Sequence, residues 1–133
     1  MKVAFATQDL AHVDAHFGCA PSLAVYEVEA EGPRLERTHL FEAAEQDGDE
    51  DKLEPRLAAI GDCAILVVAA IGSSAAARAL ARGVYPMKSN GPEPIAAVLD
   101  RLRGVLAGPP PPWLRRALTK RNERKLDLGS EVA

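Results

Sequence analysis

The stretch Ala64-Ile65-Leu66-Val67-Val68 decides the fold of this chain. Every side chain in it is apolar and several are β-branched, which is typical of a parallel strand that is buried on both faces. The surrounding apolar run, residues 64–71, is far shorter than the ~20 residues that a membrane helix needs. We therefore predict a buried strand at 64–68, as the central strand of a sheet.

Regular elements are predicted on both sides of this strand. The residues before it alternate as a β-hairpin does and then repeat apolar side chains at helical spacing, with Pro55 in the first helical turn. After it, Gly72, Ser73 and Ser74 supply a turn and an N-cap for a helix that Gly83 ends. The predicted strands are 3–7, 23–28, 35–41, 64–68 and 84–88, and the predicted helices are 53–60, 75–82 and 95–106.

This order of elements predicts an α/β fold in a single domain, with a mixed five-stranded sheet flanked by helices. If strand 3–7 lies parallel beside strand 64–68, right-handed crossovers bring the loops 8–19, 70–74 and 88–91 to one edge, where ligands of open α/β sheets bind. We place this domain at residues 1–108. Residues 109–133 hold a polyproline spacer, a short Trp/Arg segment and a polar tail that we expect to be disordered.

The composition narrows the class of protein. At 133 residues and 47% hydrophobic, the chain is long enough to bury one core. Its two cysteines lie far apart, and the N-terminus shows no signal-peptide pattern, which predicts free thiols and a cytoplasmic location. The net charge of -3 combines an acidic block at 42–54 with a basic block at 115–125. An acidic chain without a basic, aromatic-rich patch argues against nucleic acid as a partner. We expect no membrane partner either, because no apolar run approaches the ~20 residues of a membrane helix.

The richest source of metal ligands is the stretch from His12 to Cys19, which holds two imidazoles, the Asp14 carboxylate and a thiol. Histidine is the commonest metal ligand, and a cysteine thiolate binds iron. His16 is the first candidate ligand, with a histidine that only hydrogen-bonds its loop as the alternative, and His12 is a weaker candidate. Asp14 either orients a ligating histidine or forms a turn. Cys19 is a thiolate ligand or a small buried hydrophobe.

The ligand set excludes two common kinds of metal site. A ferredoxin needs about four thiolates per cluster, and Cys63, at the amino end of a buried strand, is assigned to the core. A closed zinc site lacks a fourth ligand. A preassembled iron–sulfur cluster that takes one or two protein ligands, and can leave again, remains open. The helix N-terminus at Gly72, Ser73 and Ser74 suits the negative charge of such a cluster.

Six stretches of the sequence together carry a resemblance to a known family: Met1-Lys2-Val3-Ala4-Phe5-Ala6, Val13-Asp14-Ala15-His16-Phe17-Gly18, Glu50-Asp51-Lys52-Leu53, Asp62-Cys63-Ala64-Ile65, Ala70-Ile71-Gly72 and Pro110-Pro111-Pro112-Trp113-Leu114-Arg115. With them the chain resembles the nitrogenase iron–molybdenum cofactor biosynthesis family over about residues 1–118. The resemblance implies a ribonuclease-H-like three-layer fold and a non-enzymatic protein that carries iron–sulfur precursors of the cofactor between assembly scaffold proteins and apo-nitrogenase. His16 matches the histidine of the family's D-x-H-F-G motif, which implies that it is the cluster ligand, whereas Cys19 matches no family position.

The sequence bears on two other classes of function, a nuclease and an interaction module. A nuclease on this scaffold needs carboxylates on its first and central strands to hold two metal ions, and residues 3–7 and 64–68 contain none. The alternative that stays open is an interaction module, which would hold the assembly scaffold or apo-nitrogenase without ligating a cluster.

Overall fold

The computed structural model describes residues 1–29, 31–41, 53–109, 112 and 115. Most of the acidic block and nearly all of the sequence after the polyproline spacer lie outside the described residues. The strands are β1 (Lys2–Thr7), β2 (His12–Val13), β3 (Ser22–Glu29), β4 (Gly32–Leu40), β5 (Ile65–Val68), β6 (Tyr85–Lys88) and β7 (Glu93–Pro94), and the helices are α1 (Leu53–Ala59), α2 (Ser73–Ala81) and α3 (Ile95–Leu106), with a 3-10 turn at Phe17–Cys19.

The main sheet has five strands in the order β4-β3-β1-β5-β6. β1 runs antiparallel to β3 and parallel to β5, and β6 continues the parallel half. The expected mixed sheet is therefore confirmed. The strand predicted to be central, β5, lies one place from the centre, because the β3–β4 hairpin pairs with the far edge of β1. β5 is nevertheless buried at all four of its residues.

Alternation along β1 and β5 divides the interior into two cores, since successive side chains of a strand point to opposite faces. One core lies against α1 and α2, and the other lies against α3, which gives three layers. The first core contains Ala4, Ala6, Leu66 and Val68, and the second contains Val3, Phe5, Ile65 and Val67. The wholly apolar β5 is explained by this arrangement, because both of its faces are covered.

β1, β5 and β6 are parallel and end at the same side of the sheet, which we call the carboxyl edge. The loops that follow them meet there, as the sequence predicts. A two-stranded sheet of β2 and β7, which the sequence does not predict, pairs His12 with Pro94 and Val13 with Glu93. The N–H of Ile95 also donates to the Ala11 carbonyl at 2.8 Å. The loop after β1 is thereby fixed to the start of α3.

The helices largely follow the predicted pattern. α3 begins and ends at the predicted residues, and α1 includes Pro55 near its start. α2 begins two residues earlier than predicted, so that Ser73 and Ser74 lie inside its first turn and Gly72 is the N-cap residue. Gly83, with φ of 81°, ends this helix in the left-handed conformation that glycine adopts without strain. No helix among the described residues is long and apolar enough to cross a membrane.

Candidate functional site

Residues 12–17, which we call the edge segment, cross the carboxyl edge from one core to the other. Val13 packs in the core beneath α3, whereas Ala15 and Phe17 pack in the core beneath α1 and α2. The residues between them, His12, Asp14 and His16, form the outer face, and both imidazoles are exposed. Because an extended chain alternates its side chains, the three buried positions dictate that the two histidines share the outer face.

His16 is held in place by the backbone on both sides of it. The N–H of Phe17 donates to the Ala70 carbonyl at 3.0 Å, and the N–H of Ala69 donates to the Ala15 carbonyl at 3.0 Å. His16 and Ala70 form a parallel β-bridge, which extends β5 beyond its last residue. The histidine therefore has a fixed backbone (φ -75°, ψ 139°) and an exposed imidazole.

The same bridge brings His16 to the chain that leads into α2, since Gly72 follows Ala70 by two residues. Gly72 caps α2 without a side-chain hydrogen bond, and both Ser73 and Ser74 are exposed. The first N–H groups of a helix carry a partial positive charge and have no intrahelical acceptor. The predicted meeting of the histidine loop with this helix terminus is therefore seen in the backbone.

His12 is oriented by Asp9, a residue that the sequence did not single out. Its ring Nδ1 lies 2.7 Å from Asp9 Oδ2, and Asp9 Oδ1 accepts the N–H groups of Ala11 and His12, each at 2.8 Å. The pKa of Asp9 lies well below its ordinary value, because the carboxylate accepts hydrogen bonds from the Ala11 N–H, the His12 ring and the His12 N–H. The signal that could have found this pair is the D-x-x-H spacing directly after β1.

Asp14 takes neither of its two predicted roles. Its Oδ1 accepts the N–H of Gln8 at 2.8 Å, and Gln8 Nε2 donates to the Asp14 carbonyl at 2.9 Å. This pair closes the loop between β1 and the edge segment, whereas the Asx-type turn is formed by Asp9. The assignment to Asp14 is therefore corrected, because the chain folds back on Gln8 rather than on a histidine.

Cys19 is exposed and ends the 3-10 turn, with its N–H donating to the His16 carbonyl at 3.2 Å. It is not the buried hydrophobe of the alternative interpretation. The buried guanidinium of Arg56, from α1, lies close enough for the two groups to interact: burial lowers the pKa of Arg56, and the Cys19 thiol opposes that shift.

Of the remaining cysteine and histidine, Cys63 lies away from the carboxyl edge, whereas His39 lies on the edge strand β4, in register with Leu23 and with Ala6 of β1. Cys63 is fully buried at the amino end of β5, as predicted, with its thiol 3.7 Å from Asp62 Oδ1. His39 on β4 accepts a hydrogen bond from Arg37 Nε at 2.8 Å and stacks on Phe41. Burial, followed by the charge of Arg37, lowers the pKa of His39. Both residues support the structure of the sheet rather than a ligand site.

The described residues contain no group of three His, Cys, Asp or Glu side chains that could hold a single metal ion. His12, His16 and Cys19 thus do not form a closed ion site in that part of the chain. The fold and this edge define a class of protein: a small α/β domain with two exposed histidines and an exposed cysteine at the carboxyl edge of its sheet.

The chain belongs to the dinitrogenase iron–molybdenum cofactor family, whose model matches residues 1–104. It is 52% identical to the protein NifX of Herbaspirillum seropedicae over 133 residues, which cover 99% of this chain and 91% of that one. It is 42% identical to NifX of Rhodobacter capsulatus over 123 residues, with 89% and 77% of the two chains covered. The family resemblance inferred from the sequence is thereby confirmed, and NifX proteins take part in iron–molybdenum cofactor biosynthesis.

The fold is also found in a solved structure. The crystal structure of PH0822 superposes with a TM-score of 0.57 at 20% sequence identity, covering 78% of this chain and 89% of that one. At this level of identity the comparison supports the fold alone. It agrees with the α/β architecture expected from the family.

Proposed function

We propose that this protein binds iron–sulfur precursors of the iron–molybdenum cofactor and carries them between assembly proteins in the cytoplasm. The single observation that supports this best is the position of His16, whose exposed imidazole stands on a backbone fixed to Ala70 at the carboxyl edge. Imidazole is a good ligand for iron, and the adjacent N-terminus of α2 favours a negatively charged cargo.

The openness of the site supports carriage rather than permanent storage. A resident iron–sulfur cluster is enclosed by about four thiolates, whereas the outer face of the edge segment offers imidazoles in contact with solvent. A cargo with few protein ligands can be taken over by another protein. The partners in this proposal are the cofactor-assembly scaffold proteins and apo-nitrogenase.

His16 is the principal ligand in this proposal. Cys19, one 3-10 turn later, is a candidate second ligand because its thiol is exposed near the Arg56 guanidinium. The first-turn N–H groups at Gly72, Ser73 and Ser74 contribute weaker attraction to the charge of the cluster. His12 completes the set of candidates on the outer face.

The test is an anaerobic titration of the protein with isolated precursor cluster, followed by absorbance, with circular dichroism to verify the fold. The wild-type protein should turn brown, and His16→Ala should lose most of its affinity while staying folded. His39→Ala is the matched control, because it removes an imidazole from β4, at the far edge strand of the sheet. A wild-type protein that stays colourless would contradict the carrier and favour the interaction module. Equal affinities of wild type and His16→Ala would remove His16 from the site.

A further inference from the structure

We propose that the cargo is held between two imidazoles, those of His12 and His16, and that Asp9 is the positioning residue that presents His12 through its Nε2 atom. This inference rests on the proposed function and specifies its ligand set. It makes His12 a full partner of His16, although its sequence context gave it the smaller weight.

His12 and His16 share the outer face of the edge segment. Val13, Ala15 and Phe17 are all buried, so the alternating side chains of His12 and His16 both face solvent. Four residues of extended chain span at most about 13 Å between Cα atoms. Two imidazoles from such positions can lean toward each other around an object of several metal atoms. A single ion would need both nitrogens within roughly 2 Å of it and at least one further ligand, and no such group exists among the described residues.

The contact with Asp9 fixes the tautomer of His12. At neutral pH the Asp9 carboxylate carries no proton, so the 2.7 Å contact requires His12 Nδ1 to be the donor. The neutral ring then has its lone pair on Nε2, which is the atom that can ligate a metal. Metal-ligating histidines usually donate their other ring N–H to an oxygen in this way. The exposed ring (46% exposed) leaves room for a cargo.

Asp9 is itself held in place by hydrogen bonds within its loop. Its Oδ1 accepts two backbone N–H groups, and Thr7 Oγ1, which lies 3.3 Å away, accepts the N–H of Leu10 at 2.9 Å. Leu10 adopts φ of 65° with 45% of its surface exposed, a conformation that a leucine rarely takes. Such strain persists only where the surroundings fix it, and it is concentrated at functional sites. The loop therefore holds the His12 ring in one orientation.

The experiment compares Asp9→Asn, His12→Ala and His16→Ala with wild type. Asparagine keeps an oxygen for the two backbone N–H groups, but its NH₂ group replaces Oδ2 and donates to His12 Nδ1. The ring must then carry its proton on Nε2, and the ligating lone pair is lost. Asp100→Asn is the matched control, because it makes the same chemical change at an exposed carboxylate on α3, outside the edge segment.

The probe is the iron–sulfur precursor of the cofactor, extracted anaerobically and titrated into protein labelled with ¹⁵N-histidine. Asp9→Asn and His12→Ala should each weaken binding by roughly 10- to 100-fold, the range seen when a partner of a metal-ligating histidine is removed, while Asp100→Asn binds as wild type. Pulsed EPR of the reduced cargo should detect two coupled imidazole nitrogens in wild type and one in either variant. NMR of the free proteins should show the His12 proton on Nδ1 in wild type and on Nε2 in Asp9→Asn.

The outcomes separate this inference from the proposed function. If wild type binds no precursor, the carrier proposal fails. If wild type binds and only His16→Ala is impaired, with one coupled nitrogen in wild type, the carrier stands and the second imidazole is refuted. If His12→Ala is impaired but Asp9→Asn binds as wild type with the proton moved to Nε2, the positioning role of Asp9 is refuted.

Discussion

The guanidinium of Arg56 on α1 donates two hydrogen bonds to the carbonyl oxygen of Ala20, at 2.8 Å from Nη2 and 3.2 Å from Nε. The arginine is only 3% exposed, and its charge lies 4.6 Å from the centre of the Phe41 ring. Ala20 directly follows Cys19, the last residue of the loop that holds the candidate ligands. The loop therefore has a side-chain anchor from α1 in addition to its backbone pairing with β5.

We expect Arg56→Met to destabilise the domain by about 1–3 kcal/mol, because the buried Ala20 carbonyl loses its donor while the aliphatic packing is partly retained. Urea denaturation followed by circular dichroism measures this change. Arg34→Met, on the exposed face of β4, is the control and should change the free energy of unfolding by less than about 0.5 kcal/mol. Equal stability of Arg56→Met and wild type would show that the anchor contributes nothing.

Replacing Cys63 by serine should lower stability by about 1–3 kcal/mol, because a hydroxyl would enter a fully buried site. Precursor binding should not change, since Cys63 lies at the amino end of β5, opposite the carboxyl edge. Thermal unfolding and the anaerobic titration measure the two effects separately. A folded Cys63→Ser protein that no longer binds precursor would exchange the roles assigned to the two cysteines.

Asp62 should contribute stability that depends on pH. Its burial opposes ionisation, but hydrogen bonds from Arg37 at 2.6 Å and Lys2 at 3.1 Å outweigh burial and hold the pKa well below its ordinary value. A lowered folded-state pKa stabilises the protein above the unfolded pKa of about 3.9, and this stabilisation is lost as the pH falls toward the folded value.

The variant Asp62→Asn should therefore be less stable than wild type at pH 7, and the difference should begin to shrink below about pH 4 as the pH falls toward the folded-state pKa. The carboxylate is 45% exposed, so screening by solvent limits the difference to about 1 kcal/mol. Denaturation curves at pH 7 and pH 3 give the two differences. A gap that widens in acid would contradict the assigned direction of the pKa.

Removing residues 109–133 should leave the fold intact. Among the described residues, the buried side chains of both cores lie within residues 3–102, and α3 covers the second core. Far-ultraviolet circular dichroism and the melting temperature should match those of the full chain. From the sequence we also expect the Trp/Arg segment to contact an assembly partner, because tryptophan and arginine are enriched at protein interfaces. If the shortened protein keeps its affinity for such a partner, that expectation is wrong.

The sequence predicts the elements that carry a strong local pattern. α3 is predicted to the residue because its apolar stripe, Pro94 and Gly108 all agree, and β5 is found because the five apolar residues 64–68 admit no exposed face. The start of α2 is missed since serine is the commoner N-cap, whereas Gly72 adopts the extended conformation that capping needs. β2 and β7 have two residues each, too few to show a period.

Within the site, the exposure of both histidines follows from the alternation Val13, Ala15, Phe17, which the sequence contains. The partner of His12 could have been found from spacing, because Asp9 is three residues away. The position of Arg56 near Cys19 could not have been found from the sequence. Arg56 is 36 residues from Ala20, the residue after Cys19, and its side chain reaches the Ala20 carbonyl only once α1 has packed. Contacts of this kind depend on tertiary structure and leave no local pattern.

The edge segment also affects how fast the cargo can pass to an acceptor protein. Because its buried residues belong to both cores, the segment should open only when the whole domain unfolds, and the amides of Phe17 and Ala69 should exchange with solvent at the global rate. The outer face, in contrast, is permanently accessible. Under the carrier proposal, an acceptor protein can approach the cargo before its donor lets go, and ligand exchange becomes bimolecular. The observed rate of release should then rise with the concentration of the acceptor.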